Sequence, residues 1–509
     1  MNDSNALKIM VVGLDGATWR ILDPMMRAGR LPNLQKLVRT GSAGILKSIE
    51  PMVSPTIWTS IASGKLPEKH GVWDFVVASH SVRCKRIWDM ATERGLRVGL
   101  CGYMVTWPPP AVNGFVIPGS FSRGVETHPG SLQAIRELDV MQRSEHRKSW
   151  PRLLQLAWHC HRLGVRFGSL AEAAVVLARL KANKNFLSKF FATRKLGAQF
   201  YTDVFVQQVR RFHPHLAMYV NMLIDATSHN FWKFMEPEGF ADVKPEEIVK
   251  YRHVVHAAYE SADAALGYIL DRAVDDRTVV MVLSDHGFQS VPEAQGRTPD
   301  RTVRILPEMV MKILGWDGAR TRTFNIRGAT YFRDREENVQ RLQQMESDLR
   351  GICLAGSEAP LFDVSRDLSG NLEIRLRHDV DQIDDLAVRL PNHRVIAANK
   401  IIEGDTSGIS GDHHPEGVLI VAGPGIRRGY RLENASVLDI TPTLLALLDL
   451  PVGKDMDGRV LQEIFEEKSR TGSEVRSIET WEDAAWQYEN DAEAATEELK
   501  DHLRSLGYL

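Results

Sequence analysis

The chain has 509 residues, of which 43% are hydrophobic and 25% are charged, as is usual for a globular protein. Its 63 basic and 65 acidic side chains leave a net charge of −2, so composition alone gives no drive toward nucleic acid or an anionic membrane. The length suits a large α/β enzyme with inserted subdomains.

The cysteines and the N-terminus indicate the cellular compartment. Cys84, Cys101, Cys160 and Cys353 are scattered without CxxC spacing, which argues against a disulfide framework or a thiolate zinc site. No basic-then-apolar leader opens the sequence, and no apolar run approaches the ~18 residues of a membrane span. We therefore expect a cytoplasmic enzyme.

The first predicted element is an apolar strand over residues 7–14, followed by Asp15 and Gly16. Buried parallel strands consist of nearly unbroken apolar runs, and residues just past their carboxyl ends face the ligand crevice of an open α/β sheet. Asp15 is thus either a site residue or a simple cap of the helix that follows.

A helix is predicted to start at Ser54-Pro55, because proline favours the first helical position. A serine there faces backbone N–H donors and the positive end of the helix dipole, where phosphate oxygens bind well. Ser54 is otherwise a plain N-cap residue.

Residues 141–211 are predicted to be helical and basic, with separate helices over 150–163, 169–180, 185–194 and 200–212. Lysines and arginines recur among the apolar residues of this segment. It could be a lid over the active site, an amphipathic patch for peripheral contact with a membrane, or a solvated insertion.

Two further predicted strands end at acidic residues. The run 216–224 precedes Asp225, with His229 four residues later, and the run 278–284 precedes Asp285 and His286. Residues four apart share one face of a helix, or they can bend around one ion in a loop. Carboxylate and imidazole together suit a divalent cation such as zinc or manganese.

The remaining chain is predicted to hold a small α+β subdomain, a last core strand and a charged tail. Residues 411–417 contain His413 and His414 and precede the apolar strand 418–422. The predicted divisions are core 1–140, helical insertion 141–211, core 212–289, α+β subdomain 290–400, core 401–465 and charged helical C-terminal tail 466–509.

Several of these motifs together resemble the alkaline phosphatase superfamily, and specifically its type I phosphodiesterase / nucleotide pyrophosphatase branch. The resemblance rests on Gly13-Leu-Asp15-Gly16, on the run from Ser54 to Gly71, on Asp225-x-x-x-His229, on Ser284-Asp285-His286-Gly287 and on Gly411-x-His413. It implies an α/β fold with a largely parallel sheet sandwiched by helices. Counting ten residues back from Gly64 gives Ser54 as the nucleophile. Thr56 is the alternative, because it stands where the family has proline.

The resemblance also implies the ligands of two divalent ions, most simply zinc and otherwise manganese. One ion would be held by Asp15, Asp285, His286 and the Ser54 oxygen, and the other by Asp225, His229 and His413. Such ions, ~3.5–4 Å apart, stabilise the attacking and leaving oxygens of an in-line displacement at phosphorus. Asp74 and His414 are predicted to face the substrate. The expected activity is hydrolysis of a small-molecule phosphate ester or diester through a phosphoserine intermediate.

Three alternatives differ from this function. A sulfatase needs a C/S-x-P-x-R stretch. The run Ser54-Pro-Thr-Ile-Trp58 lacks the proline at the third position and the arginine at the fifth. A phosphotransferase or mutase of the same superfamily would need a large domain with its own signature after the serine. A non-catalytic binding module on a decayed hydrolase fold would not keep competent residue types at every site position.

Overall fold

The computed structural model describes residues 7–489 except 74, 76, 120, 144–149, 183–184, 239, 241–242, 292–302, 319, 327–328, 335–337, 367–370, 378–385, 405–408, 468–474 and 484–485. In chain order its strands are β1 (Lys8–Leu14), β2 (Ser42–Lys47), β3 (Val98–Cys101), β4 (Gly114–Ile117), β5 (Leu216–Asn221), β6 (Thr278–Leu283), β7 (Gly287–Ser290), β8 (Val303–Ile305), β9 (Thr321–Ile326), β10 (Ala329–Asp334), β11 (Cys353–Leu354), β12 (Phe362–Arg366), β13 (Leu372–Leu376), β14 (Ala387–Arg389), β15 (Val395–Ala397), β16 (Ile402–Gly404), β17 (Gly411–His414), β18 (Glu416–Ala422), β19 (Tyr430–Ser436), β20 (Val452–Gly453) and β21 (Ser477–Ile478).

Its α-helices are α1 (Trp19–Arg27), α2 (Pro32–Thr40), α3 (Ser54–Ser63), α4 (Pro67–His70), α5 (Ile87–Glu93), α6 (Gln133–Arg143), α7 (Trp150–Leu163), α8 (Phe167–Ala182), α9 (Phe186–Phe212), α10 (Leu223–Met235), α11 (Pro245–Tyr251), α12 (Val254–Ala273), α13 (Pro307–Leu314), α14 (Val339–Arg350) and α15 (Ile440–Leu447).

An eight-stranded sheet in the order β19-β2-β18-β6-β1-β5-β3-β4 forms the centre of the molecule. Strands β6, β1, β5, β3 and β4 are mutually parallel, and β19 is parallel to β2. Strand β18 alone runs antiparallel to both of its neighbours in this sheet. The carboxyl ends of β1, β5 and β6 therefore meet at one edge, where β18 begins.

Helices cover both faces of this sheet. Every residue of β5 and β6 is buried, which requires packing on both sides of those strands. One group of helices is centred on α12, which packs on α1, α2, α9 and α10, while α3, α5 and α15 pack on one another in a second group. The predicted α/β class, a largely parallel sheet sandwiched by helices, is confirmed.

The helical segment differs in detail from its sequence-based description. Helix α9 runs unbroken through 27 residues, where two shorter helices over 185–194 and 200–212 were predicted. Gly197 lies in its middle and weakens the local helix signal, since glycine costs roughly 1 kcal/mol in a helix interior. Packing of α9 on β3, β4 and β5 offsets this cost.

A second hydrophobic core lies between Ile305 and Ile402, apart from the core around the central sheet. It is built by the four-stranded sheet β12-β13-β10-β9, the three-stranded sheet β11-β14-β15 and the helices α13 and α14. Phe332 and Leu349 are fully buried in it. We propose that this region is a folding unit of its own, inserted between β7 and β17.

The C-terminal segment differs from the predicted helical tail. Its described residues 475–483 and 486–489 contain no helix, only strand β21, which pairs with β20. Residues 490–509 lie outside the described residues.

All four cysteines are buried and free. Within the described part of the chain, no helix combines the length and apolar character that crossing a membrane requires.

Candidate active site

Three acidic side chains meet at the carboxyl edge of the central sheet. Asp15 directly follows β1, Asp285 follows β6, and Asp225 lies in the first turn of α10 after β5. Because β1 is hydrogen-bonded to both β5 and β6, these carboxylates come from adjacent strands. Gly16 makes the turn after β1 at φ 70°, and its N–H donates to Asp285 Oδ1 at 3.3 Å.

The antiparallel strand β18 brings His413 to the same edge. Strand β17 precedes it and pairs with β7, so that His413 lies opposite Phe288. His229 comes from α10, one helical turn after Asp225, and their side chains are 3.4 Å apart (Nε2 to Oδ1). The helical alternative for this pair is therefore the one that forms.

All three histidines of the site are oriented in the same way. Nδ1 of His229 donates to the carbonyl of Gly411 at 2.8 Å, that of His286 to Gly287 at 2.9 Å, and that of His413 to Met52 at 2.9 Å. A carbonyl oxygen only accepts, so each Nδ1 carries the proton and Nε2 is left to face the site.

The Nε2 atoms converge on Asp225. Its Oδ1 lies 3.6 Å from His413 Nε2 and 3.9 Å from His286 Nε2. The Nε2 atoms of His229 and His413 are 3.1 Å apart, a separation at which two lone pairs repel unless a proton or a cation lies between them. Asp225 thus belongs to both candidate metal clusters, Asp225-His229-His413 and Asp15-Asp225-His286. This sharing was not part of the predicted ligand division.

The carboxyl groups differ in pKa. Burial raises the pKa of Asp15 well above its usual value, and the charges of Asp285 and Asp225 raise it further. Burial and then the charge of Asp225 raise the pKa of Asp285 to about 7. Burial acts the same way on Asp225, but His229 and His413 outweigh it and hold that pKa below its usual value. The cluster therefore keeps protons unless a cation balances its negative charge.

The histidines also titrate differently. Burial lowers the pKa of His286 to about 4, and burial together with His286 lowers the pKa of His413. Burial likewise opposes the charged form of His229, but Asp225 raises its pKa above the usual value. At neutral pH His286 and His413 are therefore uncharged donors, the form that binds a metal ion.

The residues present fit divalent cations. Imidazole nitrogens and carboxylate oxygens are the donor types of zinc and manganese sites. Asp15 Oδ1 and Asp285 Oδ2 are buried and find no hydrogen-bond partner among the described residues. Both face His286, whose Nε2 lies 3.6 Å from the Asp15 oxygen and 3.4 Å from the Asp285 oxygen. A bound cation would satisfy these two oxygens.

Ser54 is the hydroxyl that the fold brings to this cluster. It is the first residue of α3, fully buried, and its Oγ lies 3.3 Å from His286 Nε2. Thr56 is also fully buried, and its Oγ1 has no hydrogen-bond partner within the described chain. Residues two apart in a helix project to different sides, so the two hydroxyls do not share a direction.

Of the two predicted substrate-facing residues, the structure describes His414. Asp74 lies outside the described residues. His414 is next to His413 on β17, and alternation along a strand points their side chains to opposite faces. The Nδ1 of His414 accepts the N–H of Glu416 at 3.2 Å, which places the ring over the β17–β18 turn.

Two aromatic residues at the site were missed in the sequence. Trp58 on α3 is fully buried, and its Nε1 donates to Asp15 Oδ2 at 2.9 Å. Phe288 packs edge-on against His229 and His413, with ring centroids 4.8 and 5.6 Å away. Trp58 lies inside the quoted run from Ser54 to Gly71, and Phe288 directly follows the quoted motif that ends at Gly287. Closeness to these motifs was the only signal for them in the sequence.

A pocket adjoins the candidate site on the side of β5. It encloses about 650 Å³ including the part open to solvent, and α9 walls it with Arg194, Gly197 and Tyr201. Opposite α9 it is lined by Asn221 at the end of β5 and by Ala226, the neighbour of Asp225. The helical insertion therefore borders a space at the carboxyl end of β5, and none of the candidate metal ligands lines that pocket.

A mostly parallel sheet that collects acids, histidines and a serine at one edge defines an alkaline phosphatase-like hydrolase. The family model for type I phosphodiesterase / nucleotide pyrophosphatase matches residues 9–416, and the chain belongs to this family. It is therefore an enzyme that hydrolyses phosphoric ester bonds, and the family predicted from its motifs is confirmed.

Two solved structures are similar to the chain. Human ectonucleotide pyrophosphatase / phosphodiesterase 5 has 11% sequence identity and a TM-score of 0.47, with 90% of this chain and 100% of that chain covered. The murine protein of the same name has 12% identity and a TM-score of 0.46, with the same coverage. A comparison with curated proteins gives no match.

Proposed function

We propose that the chain hydrolyses a small-molecule phosphodiester or pyrophosphate bond with two divalent metal ions and a phosphoserine intermediate on Ser54. The observation that supports this most is the position of the Ser54 hydroxyl, 3.3 Å from His286 Nε2. His286 lies between the two unpartnered oxygens of Asp15 and Asp285. A hydroxyl in that position can be activated by the cations that these side chains would hold.

Asp15, Asp285 and His286 would hold one ion together with Ser54, and Asp225, His229 and His413 would hold the other. Asp225 is close enough to His286 to contribute to both. When bound, the ions would lower the pKa of the attacking hydroxyl and water and balance the charge on the phosphoryl oxygens. The mixed imidazole and carboxylate donors favour zinc, with manganese as the second choice.

The reaction divides into two displacements at phosphorus. In the first, Ser54 Oγ gives its proton to solvent and bonds to phosphorus as the bond to the leaving oxygen breaks, and the leaving group departs as an alcohol or a phosphate. In the second, a water oxygen bonds to phosphorus as the bond between phosphorus and Ser54 Oγ breaks. One water proton restores the serine hydroxyl, the other passes to solvent, and the phosphate product departs. Phosphoryl transfer depends on positioning and charge balance more than on proton shuttling, so a serine without a Ser-His-Asp triad is sufficient.

Trp58 would fix the orientation of one metal ligand. Its indole N–H holds Asp15 Oδ2, which leaves Oδ1 directed at His286. The Tyr103 hydroxyl in turn donates to the carbonyl of Trp58 at 2.8 Å, and the two rings pack edge to face. Such hydrogen bonds behind metal ligands orient them and raise metal affinity. Trp58 is therefore a positioning residue.

The test is the replacement of the two candidate hydroxyls. We expect Ser54→Ala to lose hydrolysis of nitrophenyl phosphodiester, monoester and phosphonate ester substrates by at least about a thousandfold, because the nucleophile is removed. It should keep its metal, because Asp15, Asp285 and His286 remain to hold the ion. Thr56→Ala is the matched control, since it deletes a buried hydroxyl from the same helix. Metal content is measured for both variants by elemental analysis.

Two results would contradict the assignment. Full activity of Ser54→Ala would exclude a phosphoserine at this position. Loss of activity in Thr56→Ala with retention in Ser54→Ala would move the nucleophile to Thr56.

A further inference from the structure

The helical insertion exposes an apolar face to solvent. On α8, Phe167, Ala171, Ala174, Val175 and Ala178 are exposed and follow one another at spacings of one, three or four residues, which places them on one side of the helix. Phe167 is 69% exposed and Val175 50%. An apolar stripe of this kind belongs against a partner, because apolar surface is driven out of water.

Aromatic residues extend this stripe beyond α8. The ring of Phe167 lies 3.9 Å from that of His161, which is 6.0 Å from Trp158 on α7. Trp158 is 59% exposed, and Phe186 at the start of α9 is 60% exposed. We call the exposed apolar residues of α7, α8 and α9 the insertion face; they are Trp158, Phe167, Ala171, Ala174, Val175, Leu177, Ala178 and Phe186.

The segment that carries the insertion face is strongly basic. Residues 150–212 include eleven lysines and arginines and only two acidic residues, in a chain whose net charge is −2. Both acids form ion pairs within the segment, Glu172 with Lys195 at 3.5 Å and buried Asp203 with Arg166 at 2.7 Å. Arg162, Arg179 and Lys189 are exposed beside the apolar residues. Exposed positive side chains therefore lie on the same helices as the exposed apolar residues.

We propose that the insertion face docks on the surface of an anionic lipid bilayer. Apolar side chains with aromatic residues enter the boundary between headgroups and acyl chains, while surrounding lysines and arginines pair with anionic headgroups. The insertion face has both components on adjacent helices. The other side of the helical insertion packs against the central sheet, because α9 contacts β3, β4 and β5.

A second copy of the chain fits this surface less well. Two insertion faces brought together would also bring together two segments with an excess of nine positive charges each. Like charges at that density oppose association. An anionic bilayer offers the complementary sign and accepts an apolar stripe without specific pockets.

Vesicle binding by the full-length enzyme tests the proposal. The probes are phosphatidylcholine vesicles and vesicles of phosphatidylcholine with phosphatidylserine at about three to one, in sedimentation assays at low and high salt. We expect binding to the anionic vesicles that weakens with salt. The double variant Val175→Glu/Ala178→Glu should bind about tenfold or more weakly, because it places two acids in the stripe.

The matched control is Val249→Glu on α11, where a valine that is 71% exposed lies outside the insertion face. It should bind as wild type does, and circular dichroism verifies that both variants are folded. Absence of wild-type binding, or equal binding by the double variant, would overturn the proposal. Self-association of the wild type that the double variant abolishes, without vesicle binding, would overturn it in favour of an interface between copies.

Discussion

Asp225 has the most crowded surroundings of the candidate ligands. It is fully buried, and one of its oxygens lies within 4 Å of His229, His286 and His413. A carboxylate in that position would balance charge for both of the proposed cations at once. Its removal would affect both clusters, whereas His413 contributes to only one of them.

We therefore expect His413→Ala to lower the metal content of the enzyme from two ions per chain to one, because one cluster loses an imidazole and the other keeps its ligands. Metal content by elemental analysis, with hydrolysis measured in parallel, checks this. His414→Ala is the matched control, since its ring hydrogen-bonds the β17–β18 turn. Two ions retained by His413→Ala would remove that residue from the ligand set.

The sequence was informative about which side chains meet, and less so about what surrounds them. Asp15, Asp225 and Asp285 could be placed together because each follows an apolar run and such strands share an edge. Trp58 and Phe288 were missed because their contacts depend on where α3 and β7 lie against other segments. The position of Asp225 between both clusters likewise depends on interatomic distances, which the spacing of residues in the sequence does not reveal.

At the scale of elements, α9 shows how tertiary packing overrides a local signal. The predicted gap between two helices, residues 195–199, contains Gly197, yet one helix passes through it and lines the pocket beside Asn221. A Cβ atom added at Gly197 would meet nothing within 4 Å. The glycine thus costs helix stability without any close contact that requires it.

We expect Gly197→Ala to raise the free energy of unfolding by about 1 kcal/mol, because alanine loses less backbone entropy in a helix. Denaturant unfolding monitored by circular dichroism measures the change. Gly44→Ala is the opposite case, since its Cβ would lie 2.1 Å from the carbonyl oxygen of Leu432. That variant should be destabilised, and a gain in stability at Gly44 would invalidate the steric argument.

Strand direction was the part of the fold that the sequence could not supply. The apolar runs identified the core strands, and their burial confirms the largely parallel sheet. Nothing in the run of β18 distinguishes it from its parallel neighbours, because burial on both faces gives the same pattern in either direction. Its reversal is already set where the chain returns from the second core: β17 pairs antiparallel with β7, and β18, one residue further on, continues in the same direction antiparallel to β6. The same return brings His413 to the site.

At the scale of the whole molecule, the candidate metal site joins distant parts of the chain. Its residues come from β1, α3, α10, the end of β6 and β17. Two of them, Asp15 and Asp285, are buried carboxyls whose pKa values are raised by burial and by the charge of neighbouring carboxylates. Bound cations would remove this cost, so metal binding and folding stability are linked.

Chelation should therefore abolish hydrolysis and also lower the temperature of unfolding. Addition of zinc or manganese should restore both, measured by a nitrophenyl ester assay and by calorimetry. A chelated enzyme that continues to turn over would refute metal dependence. An unchanged unfolding temperature after verified metal loss would refute the link to stability.

A second long-range connection ties the C-terminal segment to the core through Lys65. The Lys65 side chain is 4% exposed, and its ammonium group pairs with Asp455 at 2.6 Å and Glu482 at 2.7 Å. Glu482 also accepts the backbone N–H of Lys85 at 2.8 Å. Burial opposes ionisation of Glu482, but Lys65 outweighs it and lowers the pKa to about 2.

A carboxyl whose pKa is lower in the folded state than in the unfolded state stabilises the fold at pH values above the unfolded-state pKa. This stabilisation is lost as the pH falls toward the folded-state pKa. We expect Glu482→Gln to cost on the order of 1–2 kcal/mol at neutral pH, with the difference from wild type shrinking between about pH 4.5 and 2. Denaturant unfolding at several pH values measures this. Glu479→Gln is the control, because Glu479 is 81% exposed in its pair with Lys454 and should change little. A pH-independent difference for Glu482→Gln would contradict the argument.

The pairing of β7 with β17, which lie on either side of the second core in sequence, has a consequence for the order in which the enzyme is completed. A growing chain that has emerged from the ribosome as far as α14 already contains Asp15, Ser54, Asp225, His229, Asp285 and His286. It still lacks His413, so the Asp225-His229-His413 cluster cannot close before the second core has been synthesised. If both proposed ions bind, capture of the second would mark near-complete synthesis, and chains truncated before β17 should be recognisable by its absence.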